Sequence, residues 1–455
     1  MISGTTSLSL DIAQAAKSSI SSTPRERSTI VIQGPPGIGK SSLIEMIRQD
    51  CIDNLNKNEE GPKTIPVTIK SKHFLFFQQL GQMTQKTIKE LSHVINNNKI
   101  KKKIVGILNS LSFVSANGIN QPADAEDKLD PGDYTILLMI DEIQSLPTNH
   151  CADSLKLLRT GCDGYPIFLV LTGLANSETV LTERGIFRPK IDKVINLQPL
   201  PNEEVKTSFG KFVKCYNIQS DPSTTSTWEK LIVTWVDGLP KHLHNALKAL
   251  GEELLLVGGD LSQVNPYAVK RRAMETRLQY YETYIKTFDA EPKIVGEFMA
   301  DLGTSANKDK IIEIINRIKS RNKSEKTGSL NFEVLLRNGF IYPHGSPHLG
   351  LYRCPIPSLQ SIAVTKTGSL LHILTYAGSE QNLTSCINDD LAINGVDAWG
   401  RTPLHIAVEA DWPVIVNILL EQGADPNIRD GQNRFPHDLA QTGSEIAHSL
   451  QNHRK

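Results

Sequence analysis

The hydrophobic residues of this chain follow two different spacings. Up to about residue 197, short apolar runs alternate with longer stretches of helical spacing; the runs are Thr29–Ile32, Ile65–Ile69, Thr135–Ile140 and Ile167–Leu171. Short runs rich in β-branched residues are typical of buried strands, and their alternation with helices predicts parallel strands joined by crossovers. The sequence therefore predicts an α/β core, a parallel sheet with helices on both faces.

The pattern becomes mainly helical after residue 197. Residues 239–256 and Lys270–Lys286 have the spacing of amphipathic helices. In residues 290–363 the pattern predicts a helix, a glycine turn and a short β-hairpin, and the last 90 or so residues contain a repeat. We therefore predict five segments: a flexible N-terminal segment 1–24, the α/β core 25–197, a helical segment 198–289, a small module 290–363 and the repeat region 364–455.

The repeat region contains three related copies, at Gly368–Leu374, Arg401–Ala407 and Arg434–Ala440. His372 and His405 are 33 residues apart, as are Pro403 and Pro436. A fixed period of 33 residues predicts stacked pairs of helices, an α-helical solenoid. Thr402-Pro-Leu-His-Ile-Ala407 resembles the ankyrin signature, in which the Thr and His side chains brace the turn and the proline starts the first helix. The resemblance implies about three ankyrin repeats that bind a protein partner; a purely structural cap is the alternative.

A glycine-rich loop follows the first apolar run. It matches GxxxxGK[ST] and consists of Gly34, Pro35, Pro36, Gly37, Ile38, Gly39, Lys40 and Ser41, with Ser42 next in the helix that it opens. Glycines let successive backbone amides face phosphate oxygens at a helix N-terminus. Lys40 would contact the β and γ phosphates, and the Ser41 hydroxyl would ligate Mg²⁺. The loop predicts ATP and Mg²⁺ as cofactors; a surface Gly-Pro turn is the alternative.

Polar residues end two further apolar runs. Asp141 and Glu142 follow Thr135–Ile140, where Asp141 can hold Mg²⁺ through its water shell and Glu142 can polarise the attacking water. Thr172 follows the next run and is our first candidate for contacting the γ phosphate or that water, with Asn176 second. A helix cap is the alternative for both of these residues. The two carboxylates predict hydrolysis of ATP as well as binding.

The loop, the carboxylate pair and the polar strand end, in this order, resemble the AAA+ ATPases over about residues 25–363. The similarity is to the origin-recognition branch and to bacterial transposition-helper ATPases. It implies that Arg188 is an arginine finger, with Arg184 the weaker candidate, and that residues 198–289 form a lid. Lys241 takes the position that usually holds the lid's sensor-2 arginine, and lysine lacks the bidentate fork. The resemblance also implies a winged-helix-like module at 290–363 and an ATP-dependent homo-oligomer.

One further pair of residues is a weak candidate for a metal site. His242 and His244 alternate as metal ligands can, but on a helix they point in different directions.

The six cysteines form no CxxC pair, which predicts mostly buried thiols in a reduced, cytoplasmic compartment. No apolar stretch reaches about 18 residues, and the N-terminus lacks the pattern of a cleaved signal, so we expect no membrane contact.

The net charge of zero, from 49 basic and 49 acidic residues, divides unevenly. Residues 364–455 hold 6 basic and 11 acidic side chains, a net of −5, which leaves +5 for residues 1–363. Residues 290–360 hold ten basic against seven acidic residues, with Arg317, Lys319, Arg321 and Lys323 near the end of one candidate helix. DNA contact through this module is therefore a second prediction, although cations at a helix C-terminus also offset the helix dipole.

These patterns favour an ATP-driven molecular switch whose ankyrin repeats bind a protein. One alternative is an ankyrin interaction protein, such as a secreted bacterial effector, in which ATP only gates binding; the Asn, Lys and Ile richness of residues 95–103 is consistent with an AT-rich bacterial genome. Another is a DNA-binding helper of transposition or initiation. The sequence leaves these three open.

Overall fold

The computed structural model describes nine stretches of the chain and a few single residues between them. The stretches are 29–56, 63–70, 134–145, 167–174, 193–286, 291–321, 330–344, 349–387 and 393–453, and the single residues are 89, 93, 177, 181 and 191. The chain divides into two compact units, Met1–Leu200 and Pro201–Lys455. Each unit is described by itself.

The described part of the first unit is a parallel sheet with one helix packed against it. Its elements are β1 (Thr29–Gln33), α1 (Lys40–Asn56), β2 (Lys63–Lys70), β3 (Tyr134–Asp141), β4 (Ile167–Gly173) and β5 (Lys193–Asn196). The strand order is β2-β3-β4-β1-β5, and every neighbouring pair is parallel. The predicted α/β fold class and its four apolar strands are confirmed; β5, with the sequence Lys-Val-Ile-Asn, was not predicted.

Both faces of this sheet are buried. On one face, Leu43, Ile44 and Ile47 of α1 pack against alternate strand residues, including Ile32 and Met139. The intervening residues, such as Val31, Leu138 and Leu171, are buried as well. Burial on both sides explains why the strands are continuous apolar runs instead of alternating ones. Because β4 lies between β1 and β3, the carboxyl ends of these three strands meet at one edge.

The second unit begins with four helices. They are α2 (Asn202–Cys215), α3 (Pro222–Trp235), α4 (Pro240–Leu256) and α5 (Pro266–Lys286). Proline stands at the first turn of α3, where its missing N–H costs nothing, and the Asp221 carboxylate accepts from the backbone amides of Ser223 and Thr224. The two helices predicted from residues 239–256 and 270–286 correspond to α4 and α5.

The middle of this unit combines helices with a small sheet. Its elements are α6 (Pro292–Leu302), β6 (Ala306–Asn307), α7 (Lys308–Arg321), α8 (Phe332–Arg337), β7 (Tyr342–His344), β8 (Leu351–Arg353) and α9 (Pro357–Thr365). The strands form an antiparallel sheet in the order β6-β8-β7. A helix, a turn at Gly339 with φ 71° and a hairpin therefore follow one another as the sequence predicts.

The C-terminal part is a stack of helix pairs. It contains α10 (Leu370–Ala377), α11 (Glu380–Ile387), α12 (Pro403–Glu409), α13 (Pro413–Glu421), a 3₁₀ turn (Pro436–Leu439) and α14 (Glu445–His453). The third copy replaces the Leu-His pair with His437-Asp438, and its first helix is only the 3₁₀ turn. Leu371, Leu404, Val416 and Leu450 share one core, which makes the stack continuous.

Two buried histidines link successive repeats. His405 Nδ1 lies 2.8 Å from Thr402 Oγ1, and its Nε2 lies 3.2 Å from the Arg434 carbonyl of the next copy. His372 likewise contacts Ser369 at 3.0 Å and the Arg401 carbonyl at 3.1 Å. The predicted brace between Thr402 and His405 is thus present, and each histidine also holds the repeat that follows.

The His405→Ala variant should destabilise the second unit by about 2–4 kcal/mol. The substitution leaves a cavity and removes the partner of a backbone carbonyl in a position where His405 is fully buried. Thermal and urea unfolding of the purified chain, followed by circular dichroism, measures the loss. His453→Ala, at an exposed position of α14, is the matched control; equal stabilities for the two variants would contradict the role given to His405.

Among the described residues, none of the helices is both long enough and apolar enough to cross a bilayer. The described cysteines are all free thiols: Cys51 and Cys354 are buried, Cys386 is half-buried and Cys215 is exposed. Cys151 and Cys162 lie outside the described residues. The expectation of mostly buried cysteines therefore applies to two of the four.

Candidate nucleotide site

The glycine-rich loop joins β1 to α1 at the edge where the strands end. Gly37 and Gly39 have φ values of 78° and 97°, in the left-handed region that favours glycine. Gly34 is packed closely, since a Cβ there would lie 3.0 Å from Ile38 Cγ2 and 3.3 Å from Leu197 Cβ. The curvature of the loop therefore favours glycine at positions 37 and 39, and its packing leaves little room for a side chain at position 34. Lys40 starts α1, so the first amides of the helix, which have no partner within it, open onto the loop.

Asp141 is held by donors from three elements. Ser41 Oγ donates to Asp141 Oδ2 at 2.7 Å, and Thr172 Oγ1 donates to Oδ1 at 2.5 Å. The backbone amide of Glu142 also donates to Oδ1, at 3.0 Å. Asp141 is 5% exposed and Thr172 is fully buried. The loop, the end of β3 and the end of β4 are thus joined through one oriented carboxylate.

Lys40 is partly buried against its own loop. Its Nζ donates to the carbonyl oxygens of Gly34 and Pro35, at 2.8 Å each. Burial lowers the pKa of Lys40 to about 8, although the charges of Asp141 and Glu142 act in the opposite direction. Burial disfavours the charged form of Lys40. A phosphate anion beside the Nζ would stabilise that charged form and raise the pKa.

Glu142 lies beside this cluster in an unusual backbone conformation. Its φ is 60°, which is uncommon for a residue other than glycine, and its side chain is exposed. Such conformations are found where the surrounding structure fixes the backbone, and functional sites are common among those places. The backbone of Glu142 is held on both sides, because the preceding residue, Asp141, belongs to β3 and the 3₁₀ turn Ile143–Ser145 follows.

The residues in the loop and at the strand ends fit a magnesium ion and a phosphate chain. The Ser41 hydroxyl and the Asp141 carboxylate are oxygen ligands, which Mg²⁺ prefers, and they are already within hydrogen-bond distance of each other. The glycine curvature and the helix N-terminus supply amides that face an anion. Among the described residues, no three His, Cys, Asp or Glu side chains group as a metal site.

Two hydrogen bonds and one tightly packed glycine that shape the site were not predicted from the sequence. Gln33 Nε2 donates to Asn196 Oδ1 at 2.8 Å and so ties β1 to β5 just before the loop. Gly173 accepts from the Gly34 amide at 3.2 Å, and a Cβ at Gly173 would lie 2.7 Å from Ile143 Cγ1. The signal for Gly173 was present in the sequence, as a glycine directly after the polar residue that ends β4.

The remaining predicted site residues lie elsewhere. Arg184, Arg188 and Asn176 lie outside the described residues. Lys241 belongs to the second unit, at the first turn of α4, where its Nζ lies 5.4 Å from the ring centroid of Tyr280.

The two histidines next to Lys241 point apart, as expected for a helix. His242 is buried, with Nε2 2.9 Å from Tyr281 Oη, and His244 is exposed. His242 therefore has a structural partner, and the described residues give no support to a metal site at this pair.

Three cations of α7 lie close to acidic side chains. Arg317 Nη2 lies 2.8 Å from Asp301 Oδ2, Lys310 Nζ lies 2.8 Å from Glu313 Oε1, and Lys308 Nζ lies 3.8 Å from Glu333 Oε1. Lys319 and Arg321 are in the last turn of the helix, and Lys323 lies outside the described residues. Of the four cations that indicated DNA contact, the structure thus pairs Arg317 with an acid.

Two family profiles match separate parts of the chain. The sequence profile of the KAP family P-loop domain matches residues 11–114, and the ankyrin repeat profile matches residues 399–431. An ankyrin and IPT/TIG repeat-containing protein of Schizosaccharomyces pombe is 24% identical over 220 residues, which are 48% of this chain and 18% of that protein. The chain therefore spans less than a fifth of this relative's length.

Solved structures resemble most of the chain. The ORC2 protein of Aeropyrum pernix, solved as ADPNP-ADP complexes, has a TM-score of 0.50 at 13% identity and covers 78% of this chain and 92% of its own. A Walker-type ATPase of Pyrococcus abyssi has a TM-score of 0.49 at 15% identity, over 77% and 94% of the two chains. The parallel sheet, the glycine-rich loop, the two matching profiles and the fold likeness to the A. pernix structure together show a P-loop NTPase fold joined to C-terminal ankyrin repeats.

Proposed function

We propose that this protein is an Mg²⁺-dependent ATPase that works as a molecular switch. The single observation that carries the proposal is the chain of hydrogen bonds from Ser41 through Asp141 to Thr172, which joins the phosphate loop to two further strand ends. A loop built only to bind a phosphate does not need an oriented carboxylate beside its serine. A magnesium-assisted reaction at the γ phosphate does need one.

Each residue then has a defined task. The backbone amides from Gly37 to Ser42 and the Lys40 ammonium would bind the phosphates. Ser41 and Asp141 would hold Mg²⁺, which would offset phosphate charge. Glu142 accepts a proton from the attacking water. The Thr172 hydroxyl fixes the Asp141 carboxylate and would contact the γ phosphate or the attacking water.

The proposal extends to an ATP-dependent homo-oligomer. Arg188 of a neighbouring subunit, with Arg184 the alternative, would offset charge at the γ phosphate, and Lys241 would do so from a lid formed by residues 198–289. The arginine assignment rests on the sequence pattern, and the lysine assignment on its place at the first turn of α4. Residues 25–197 would form the nucleotide core.

The ankyrin region, residues 364–455, would bind a protein partner. DNA contact through the winged-helix-like module 290–363 stays the second proposal. The S. pombe relative, whose name records ankyrin repeats, is consistent with a protein-binding function. The cysteines that the structure describes are free thiols, which supports a reduced, cytoplasmic location.

Native mass measurement tests nucleotide binding and assembly together. We expect the purified chain to be smaller without ATP, to form a defined larger homo-oligomer with ATP and Mg²⁺, and to lose that assembly in Arg188→Ala while still binding ATP. Lys193→Ala, on the exposed side of β5, is the matched control. ATP binding without any change in mass would contradict the proposed oligomer, and no ATP binding would contradict the switch itself.

A further inference from the structure

Helix α5 is packed lengthwise against α4, the helix that carries Lys241. Near one end, Tyr281 Oη lies 2.9 Å from His242 Nε2. Near the other end, Arg272 Nε donates to the Glu253 carboxylate at 2.6 Å. The two helices are therefore antiparallel and joined at both ends, so that a displacement of α4 displaces α5.

The same helix also contacts the ankyrin stack through one buried cation. Lys270 Nζ donates to the carbonyl oxygen of Ala410 at 2.6 Å and to that of Asp411 at 3.3 Å, and it lies 4.6 Å from the ring centroid of Trp412. Tyr267 contacts the Trp412 ring, with the centroids 6.4 Å apart. These three repeat residues form the turn between α12 and α13.

The chemistry of this contact makes it sensitive to geometry. Lys270 is 9% exposed, and burial lowers its pKa to about 8 against the opposing effect of Asp411. Its ammonium lies at the C-terminus of α12, where the last carbonyls have no partner within the helix and carry the negative end of the dipole. A buried cation is stabilised only while those carbonyls stay within reach, whereas an apolar contact tolerates sliding.

A second buried group ties the start of α4 to α5 and to α9. Arg277 Nη1 donates to Ser358 Oγ of α9 at 3.2 Å and lies 3.7 Å from Asp237 Oδ2, in the turn that leads into α4. Burial of Asp237 opposes its ionisation, but the hydrogen bond with His242 and the charge of Arg277 prevail and lower its pKa. The start of α4, where Lys241 lies, is thus fixed to α5, the helix whose Lys270 contacts the ankyrin repeats.

We propose that the ankyrin stack is a regulatory site of the ATPase, coupled to it through α5 with Lys270 as the connecting contact. The inference rests on the proposed function, in which Lys241 meets the bound nucleotide. Because coupling between two binding sites is reciprocal, a protein bound to the repeats changes the affinity for ATP by the same factor by which ATP changes the affinity for that protein. ATP alone can therefore reveal the coupling, before the partner is identified.

Amide hydrogen exchange of the full chain with and without Mg²⁺-ATP tests this proposal. In the wild-type protein we expect ATP to change the exchange rates of residues 408–416 by about threefold or more. Amide exchange reports local opening of the backbone, and that opening should change if it is coupled to ATP binding. In Lys270→Met, which keeps the length of the side chain but removes the donor, we expect unchanged ATP affinity and loss of the ATP effect at residues 408–416. Lys286→Met, exposed at the end of the same helix, should behave like wild type.

The outcomes separate the inference from the proposed function. If the wild type binds ATP and residues 408–416 do not respond, or if Lys270→Met responds like the wild type, the coupling is refuted and the ATPase stands. If no ATP binds, the proposed function falls and the inference falls with it. Unchanged exchange in β1 and β3 of Lys270→Met shows that the nucleotide core is intact, and Lys270→Arg, which restores a cation, should recover at least part of the response.

Discussion

Replacement of Glu142 by glutamine is expected to slow ATP hydrolysis by about 10²–10⁴-fold and to leave ATP binding nearly unchanged. The amide keeps the size of the side chain and its position after Asp141, but it cannot accept a proton from water, and general-base catalysis contributes about this much. The backbone of Glu142 is fixed by β3 and the following turn, so the substitution should not disturb the loop.

Phosphate release and ATP affinity measured on the same preparation check the effect of this substitution. Glu45→Gln is the matched control, since Glu45 is an exposed carboxylate of α1 paired only locally, with Arg48 at 2.9 Å. A Glu142→Gln protein that hydrolyses ATP at the wild-type rate would remove Glu142 from the catalytic role. A parallel loss of ATP binding would point to a structural role instead.

Lys40→Ala is expected to weaken ATP binding by about 10- to 100-fold. The substitution removes charge-assisted hydrogen bonds to phosphate worth about 1.5–3 kcal/mol, at a position where Lys40 already lies against the loop carbonyls. Calorimetric titration with ATP and Mg²⁺ measures the loss. Lys193→Ala serves again as the control, and equal affinities for the two variants would contradict the role of Lys40.

The pH dependence of ATP affinity provides a second signature of the same lysine. Without nucleotide, burial keeps the pKa of Lys40 at about 8, and phosphate raises it because phosphate stabilises the ammonium. The bound state therefore holds more protons than the free state above pH 8, so ATP affinity should be greatest below pH 8 and fall as the pH rises. Lys40→Ala should lose this dependence, and a wild-type affinity that is constant between pH 7 and 9.5 would contradict the argument.

Local sequence patterns predict the parts of this structure that are determined locally. The strands β1 to β4 are continuous apolar runs because both sheet faces are buried there. The loop is recognisable because Gly37 and Gly39 occupy positions with positive φ, which favour glycine. The ankyrin turn is equally readable, since Thr402 and His405 are only three residues apart. Strand β5 has two apolar residues and is partly exposed at the sheet edge, so its pattern is too short to stand out.

Contacts between distant residues could not be predicted in this way. The Ser41 and Asp141 side chains are 100 positions apart, and the sequence relates them only by assigning both to one Mg²⁺, without predicting the hydrogen bond between them. Lys270 and Ala410 are 140 positions apart, and Lys270 has the pattern of a solvated cation on an amphipathic helix. Its burial depends on where the repeat stack packs, which no local pattern encodes. The ion pair of Arg317 is of the same kind, since its acid, Asp301, comes from α6.

In the function proposed above, Ser41, Asp141 and Thr172 surround a magnesium-dependent ATP hydrolysis site. The rate of phosphate release from ATP by the purified full chain, with Mg²⁺ and with the metal chelated, tests this function. We expect catalytic turnover with Mg²⁺ and none without it. Equal rates under the two conditions, or no release of phosphate with Mg²⁺ from protein that binds ATP, would refute magnesium-dependent hydrolysis at this site.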